Sequence, residues 1–331
     1  MNIEPPHAVR GLWNSPLNPQ LSTLDSMHDQ ANDLRDLARR CAGTEVPAPG
    51  RRPRTVVLSS GKGGVGTTTI AVQLAVAMAR SGRRVALVDA DPRGGDVALL
   101  CGIEEQHTLA DVLAGRRTVA EVLQPGPGGV EVLPGVWGWD CRCDYPPAAG
   151  ERLLGQLQTL GKRADVVVLD TGNGLGGMKR RFWQAADLRL VVTTTETAAI
   201  LDTYASIKAM AGTRATSAIY TLVNLCPCGE TGENVHARLA HACQRFLAFE
   251  PHPAGHIAAD PEIAAAGRTR NPLMPAATEH DARTQFDRLA QMMADRITLG
   301  IAQKKLRQVQ MPHSIKPRPL VAPSDARNGS W

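Results

Sequence analysis

From residue 54 onward, short unbroken apolar runs alternate with longer stretches in which apolar positions recur every three or four residues. The runs are Thr55–Ser59, Arg84–Asp89, Val130–Leu133, Asp165–Asp170, Leu188–Thr193 and Ile219–Asn224. Most are continuously apolar rather than alternating, the pattern of strands covered on both faces of a parallel sheet. The helical stretches between them include Ile70–Arg80. Asp281–Leu299 closes the series, with Phe286, Leu289, Met293 and Ile297 on one face. Repeated strand–helix–strand units follow, so residues 54–300 read as one α/β domain with a mostly parallel, twisted sheet and helices on both faces. Upstream, Leu24, Met27, Ala31, Leu34 and Ala38 fall at helical spacing from Leu24 to Arg40, and Gly43 follows. Residues 1–41 are therefore expected to be a helical arm. Residues 42–53, with Pro47, Pro49 and Pro53 and no periodicity, read as a linker. Residues 301–331 read as a basic tail, Pro-rich and polar from Pro312 and expected to lack a fixed fold there. No internal repeat is visible.

Composition narrows the class. Of 331 residues, 43% are hydrophobic and 21% charged, enough for a sizeable core and too apolar for a disordered chain. No run approaches the ~18 apolar residues of a membrane span, and no charged-then-apolar leader is present, so a cytoplasmic location is expected. The net charge of +5 suggests a basic protein, but it is not spread along the chain. Residues 302–331 hold Lys304, Lys305, Arg307, Lys316, Arg318 and Arg327 against Asp325 alone, and residues 1–301 balance. The charge therefore says little about the main domain's partners and argues against specific nucleic-acid binding. Five Trp, three Tyr and four Phe are too few for a single-strand stacking platform. The seven cysteines include two C-x-C pairs, Cys141/Cys143 and Cys226/Cys228. Zinc sites usually place two to four residues between paired thiolates, so these read as reduced bystanders. His236 and His241, five apart on an expected helix, share a face poorly and read as packing or surface residues.

The chemistry concentrates in Ser59-Ser60-Gly61-Lys62-Gly63-Gly64-Val65-Gly66-Thr67-Thr68-Thr69, between the first strand and its helix. Glycines let backbone N–H groups turn inward around phosphate, and the helix N-terminus adds its positive dipole end. Thr68 stands where the phosphate-loop pattern puts the hydroxyl that ligates Mg2+.

This loop resembles the deviant phosphate loop of the MinD/ParA ATPases, whose extra early lysine corresponds to Lys62, and the similarity continues for most of the domain. The resemblance implies a P-loop NTPase fold, ATP and Mg2+ as cofactors, and an ATP-bound homodimer in which Lys62 reaches the partner's nucleotide. It makes Gly61, Lys62, Gly63, Gly64, Val65, Gly66, Thr67, Thr68 and Thr69 the phosphate cradle. Val88-Asp89-Ala90-Asp91 is similar to switch I, where Asp91 would position the attacking water and Asp89 would support the metal. Asp165–Asp170 with Thr171-Gly172-Asn173-Gly174 is similar to the Walker B strand and switch II, with Asp170 near Mg2+ through water. Asn224 matches an adenine-contacting asparagine. Within the family, Thr108–Gly115, Val132–Gly135, Asp170–Gly172, Thr193–Glu196, Asp202–Met210 and Val235–Leu247 resemble the FlhG (YlxH, FleN) group. The arm adds Asp29-Gln30-Ala31-Asn32-Asp33-Leu34-Arg35, similar to that group's Asp-Gln-Ala-x-x-Leu-Arg element. By resemblance, Asp29, Gln30, Ala31, Leu34 and Arg35 would bind a flagellar FlhF-type GTPase, and the output would be control of flagellar number or placement. Relatives also sit on membranes through a C-terminal amphipathic helix. Here Ala302–Gln308 offers basic residues for anionic lipid at the inner membrane's cytoplasmic face, but only Ile301 and Leu306 as an apolar face, and a solvated helix end fits better.

The departures shape the expectation as much. Phosphate loops place lysine directly before the magnesium threonine, and this chain has Thr67. A hydrogen bond to a charged group contributes ~1.5–3 kcal/mol, so nucleotide affinity is expected to fall about 10- to 150-fold. Hydrolysis is expected to fall by a further ~10²–10³-fold if that charge also stabilises the transition state. Switch II carries Asn173 where relatives usually show alanine, and Thr195 and Thr197 replace the prolines of a Pro-Glu-Pro segment. Slow turnover is the reading. A non-hydrolysing nucleotide-binding scaffold, a ParA-like DNA-partitioning ATPase and, from Cys226-Pro227-Cys228, an iron–sulfur carrier remain open beside it.

Overall fold

The computed structural model describes residues 52–136, 147–174, 176–211, 218–270 and 281–310. The chain divides into two units, Met1–Pro49 and Gly50–Trp331. All the described residues belong to the second unit. The arm residues Asp29, Gln30, Ala31, Leu34 and Arg35 lie outside the described residues, as do Cys141 and Cys143.

Eight strands form one sheet: β1 (Arg54–Ser60), β2 (Val85–Asp89), β3 (Gln124–Pro125), β4 (Glu131–Leu133), β5 (Val166–Asn173), β6 (Leu188–Thr193), β7 (Ile219–Cys226) and β8 (His252–Ala258). Their order is β3-β4-β2-β5-β1-β6-β7-β8. Every pairing is parallel except β3 with β4. Six of the eight match the apolar runs of the sequence. The short edge piece β3 gave no run, and β8 carries Pro253 and Gly255, residues that weaken a strand and are tolerated at an edge.

Successive residues on β1 face opposite ways: Val56 and Leu58 join one core cluster, Val57 the other. The first cluster is covered by α1 (Thr67–Arg80) and the last helix, α10 (Asp281–Gln310), whose Phe286, Leu289, Met293 and Ile297 are all buried in it as their spacing predicts. The second is covered by α5 (Pro147–Thr159), α6 (Gly177–Ala185), α7 (Thr197–Ala211) and α8 (Gly229–Leu247). Smaller helices α2 (Val97–Cys101), α3 (Leu109–Leu113), α4 (Val119–Val122) and α9 (Pro261–Thr269) fill the connections. Helix α10 runs past Leu299 to Gln310, beyond the boundary at residue 300. Residues 301–310 contain neither Gly nor Pro and are mostly good helix formers, so the turn-by-turn pattern has no stop before Pro312. Among the described residues no helix is long and apolar enough to cross a membrane.

Parallel strands all end at the same edge, and in such sheets ligands bind beyond those carboxyl ends. Asp89 on β2 pairs in register with Asp170 on β5 at that edge, and the β1–β5 register shifts between Leu58 and Ser60, where the glycine-rich loop begins.

Candidate nucleotide-binding site

The loop from Gly61 to Gly66 leaves the end of β1 and turns into α1. Its last residue, Gly66, adopts a left-handed backbone (φ 85°) and starts the helix without any side-chain cap. The first-turn amides of α1 therefore face the loop's interior, the arrangement that attracts anions. At Gly64, also at positive φ, no atom lies within 4 Å of where a Cβ would sit, so the crest of the loop is open. Two contacts hold the loop in this shape. Asn224, buried at the end of β7, donates from Nδ2 to the Val65 carbonyl at 2.9 Å. Gly61 lies so close to the Asp202–Thr203 backbone of α7 that a Cβ would fall 2.2 Å from it. The resemblance assigns Asn224 an adenine contact, and here its amide is engaged with the loop.

Thr67 is buried as the first residue of α1, and Thr68 follows it toward the acidic floor. That floor is built by β2 and β5. Asp89 is fully buried, its Oδ2 accepting from the Val97 N–H at 3.2 Å and its Oδ1 from the Asp91 N–H at 3.3 Å. Burial, and then the adjacent Asp170 carboxylate, push its pKa well above the usual carboxylate range. Asp170 is fully buried as well, with Oδ1 accepting from the Gly172 N–H at 3.0 Å and Oδ2 without a hydrogen-bond partner. Burial pushes it up to about 6, against the stabilising Thr68 hydroxyl and Gly172 N–H. Asp91 packs over switch II so tightly that a Cβ at Gly172 (φ 55°) would lie 1.9 Å from its Oδ2.

An orphaned carboxylate oxygen beneath an uncapped helix end, with a threonine hydroxyl beside it, suits a hard divalent cation with bound phosphates. No group of three or more His, Cys, Asp or Glu among the described residues is placed to hold a metal by protein ligands alone. Mg2+ keeps several waters and takes one or two carboxylates plus substrate oxygens.

Glu196, Arg93, Asn173 and Lys179 lie at the site but outside the glycine-rich loop. Lys62 does not extend outward but pairs with Glu196, Nζ to Oε2 at 2.6 Å. Arg93, in the loop after β2, donates to both the backbone and side-chain oxygens of Asn173 at the end of β5, and the Asn173 amide lies 3.1 Å from where a Cβ on Gly63 would be. Lys179, on α6, is buried and donates to the Gly172 carbonyl at 2.9 Å and the Ser60 carbonyl at 3.4 Å. Its position inside Lys179-Arg180-Arg181 reads as a solvated face, and only tertiary packing sends the first of the three inward.

The weaker sequence candidates fall elsewhere. Nδ1 of His236 lies 2.6 Å from the Thr221 hydroxyl, a packing contact. Cys226 is buried with its thiol donating to the Cys228 carbonyl at 2.9 Å, while Cys228 is exposed, and both are free.

Comparison with known proteins agrees with this geometry. Residues 52–119 match the family described as ParA, NUBPL iron-transfer P-loop NTPase. The antiactivator FleN of Pseudomonas aeruginosa is 33% identical over 238 residues, covering 72% of this chain and 85% of FleN. The flagellum site-determining protein YlxH of Helicobacter pylori is 26% identical over 255 residues, covering 74% of this chain and 83% of YlxH. Among solved structures, the cell-division ATPase MinD of Pyrococcus furiosus superposes with a TM-score of 0.62 at 23% identity, over 73% of this chain and 98% of that one. MinD of Pyrococcus horikoshii, solved in complex with Mg-ADP, gives 0.62 at 22% identity, over 75% and 98%. With the loop, the paired switch aspartates and the FleN likeness spanning most of both proteins, the chain belongs to the MinD/ParA family of P-loop ATPases, in the branch of FleN and YlxH.

Proposed function

We propose that this chain is an ATP-dependent switch that dimerises around nucleotide, hydrolyses it slowly and controls flagellar number or placement. The observation that carries the reading is the open, uncapped loop of Gly61–Thr69, whose Thr68 hydroxyl lies beside the Asp170 carboxylate with its unpartnered Oδ2. The backbone amides of Gly63–Thr69 bind the phosphates. Thr68, with Asp89 and Asp170 through water, would hold Mg2+, which when bound neutralises phosphate charge. Asp91 orients the attacking water and accepts its hydrogen bond. Lys62 leaves Glu196 and crosses to the nucleotide of a second copy. The arm, through Asp29, Gln30, Ala31, Leu34 and Arg35, engages an FlhF-type GTPase. The protein works in the cytoplasm, and Ala302–Gln308 is the segment to examine for peripheral contact with anionic membrane.

The test is the molar mass of the full chain by light scattering with Mg2+ and ATP, ADP or no nucleotide. A dimer with ATP alone is expected. A mass unchanged by nucleotide would overturn the switch. Thr67 favours a second reading, a scaffold that binds nucleotide without turnover, and the two part on steady-state phosphate release.

A further inference from the structure

We infer that Lys179 provides, from α6 beneath the loop, the buried cation that the phosphate cradle lacks at Thr67. The inference rests on the nucleotide-binding reading above. Among the described residues only two basic side chains are buried, Lys179 and Arg189. Arg189 lies over the Trp183 ring and donates to the Trp183 carbonyl, so it serves the packing of α6 against β6. Lys179 instead bridges the two walls of the site. Its ammonium donates to Ser60, the last residue of β1 before the loop, and to Gly172, two residues beyond Asp170.

A lysine held there is costly unless something at the site repays its desolvation, since two carbonyls satisfy only part of an ammonium's three donors. Burial lowers its pKa to about 8, and the carboxylates of Asp91 and Asp170 oppose that fall. A purely structural clamp would be better served by an uncharged donor. A cation is suited to a floor of acidic groups onto which phosphates are also to be loaded. The loop's own lysine position has been vacated to Thr67, and the other lysine of the loop, Lys62, is engaged with Glu196 at the rim. Lys179 is thus a positioning residue: it fixes the start of the loop against switch II and sets the local charge for phosphate.

The experiment measures binding of a fluorescent ATP analogue with Mg2+ to the full chain, together with the melting temperature of each variant without nucleotide. Lys179→Met removes the charge and both carbonyl contacts that hold the start of the loop, and is expected to weaken binding about 10- to 150-fold, the size of one charge-assisted interaction. Adding Thr67→Lys to that variant is expected to restore most of the affinity, which repair of a merely structural defect would not do. Thr67→Lys in the native background keeps the test valid if Lys179→Met fails to fold: with Lys179 present it gains little affinity. A 10- to 150-fold gain from Thr67→Lys alone, or a folded Lys179→Met that binds like the native chain, overturns the inference and leaves the nucleotide reading standing. No binding by the native chain overturns both.

Discussion

Lys62 Nζ sits 2.6 Å from Glu196 Oε2 of its own chain, a surface ion pair whose side chains are 39% and 66% exposed. Exposed pairs of this kind are weak. The contact therefore holds the lysine at the rim without locking it, and in the proposed dimer its release would cost little. Lys62→Ala is expected to abolish the ATP-dependent dimer, whereas Glu196→Ala leaves it intact or slightly strengthened. Light scattering with ATP and Mg2+ distinguishes them, and the reverse ordering would show that Glu196 and not Lys62 makes the cross-subunit contact.

On the proposed reading, Thr67 is expected to limit the chemical step more than binding. If Lys179 serves the ground state, Thr67→Lys adds its charge chiefly in the transition state and is expected to raise steady-state phosphate release by ~10²–10³-fold. Unchanged turnover would mean that position 67 is not limiting. Background turnover in the native chain with rescue by the variant would favour the scaffold reading.

The buried carboxylates make stability pH-dependent. Asp170 is raised from 3.8 to about 6 in the folded chain, so between those values the unfolded chain ionises first. Its favourable contribution is complete below the lower value and lost as pH rises through the upper one, a difference of about 3 kcal/mol at most. Asp170→Asn, which stays neutral, is expected to flatten the decline in melting temperature from about pH 4 to 7. Equal slopes in the two proteins would refute the assignment.

Gly61 has no room for a methyl group because its neighbour is helix backbone rather than a flexible side chain. Gly61→Ala is expected to destabilise the fold by roughly 1–3 kcal/mol, the usual cost of overpacking. Chemical denaturation measures it, and a neutral result would mean that α7 gives way.

The arm is expected to act on its partner and not on nucleotide. Removal of residues 1–41 should abolish stimulation of a cognate FlhF-type GTPase while binding of the ATP analogue is unchanged. Equal stimulation by the shortened chain would rule the arm out.

Much of this site is legible in the sequence because its parts are local. A glycine-rich loop between an apolar run and a helix needs no distant information, and neither does an Asp closing each of two apolar runs. The Phe286–Ile297 stripe is likewise buried where its spacing puts it. What escapes is set by contacts across the fold. β8 is a strand only because β7 offers it an edge, despite Pro253 and Gly255. Lys179 is separated from Arg180 and Arg181 only by the direction in which one turn of α6 meets the sheet. Glu196 becomes a partner of Lys62 across 134 positions of chain.

The bridge from Arg93 to Asn173 joins the loop after β2 to the loop after β5. In the proposed switch, a cross-link here would make the two loops move together, so a partner reading this surface would meet one combined state rather than two independent ones.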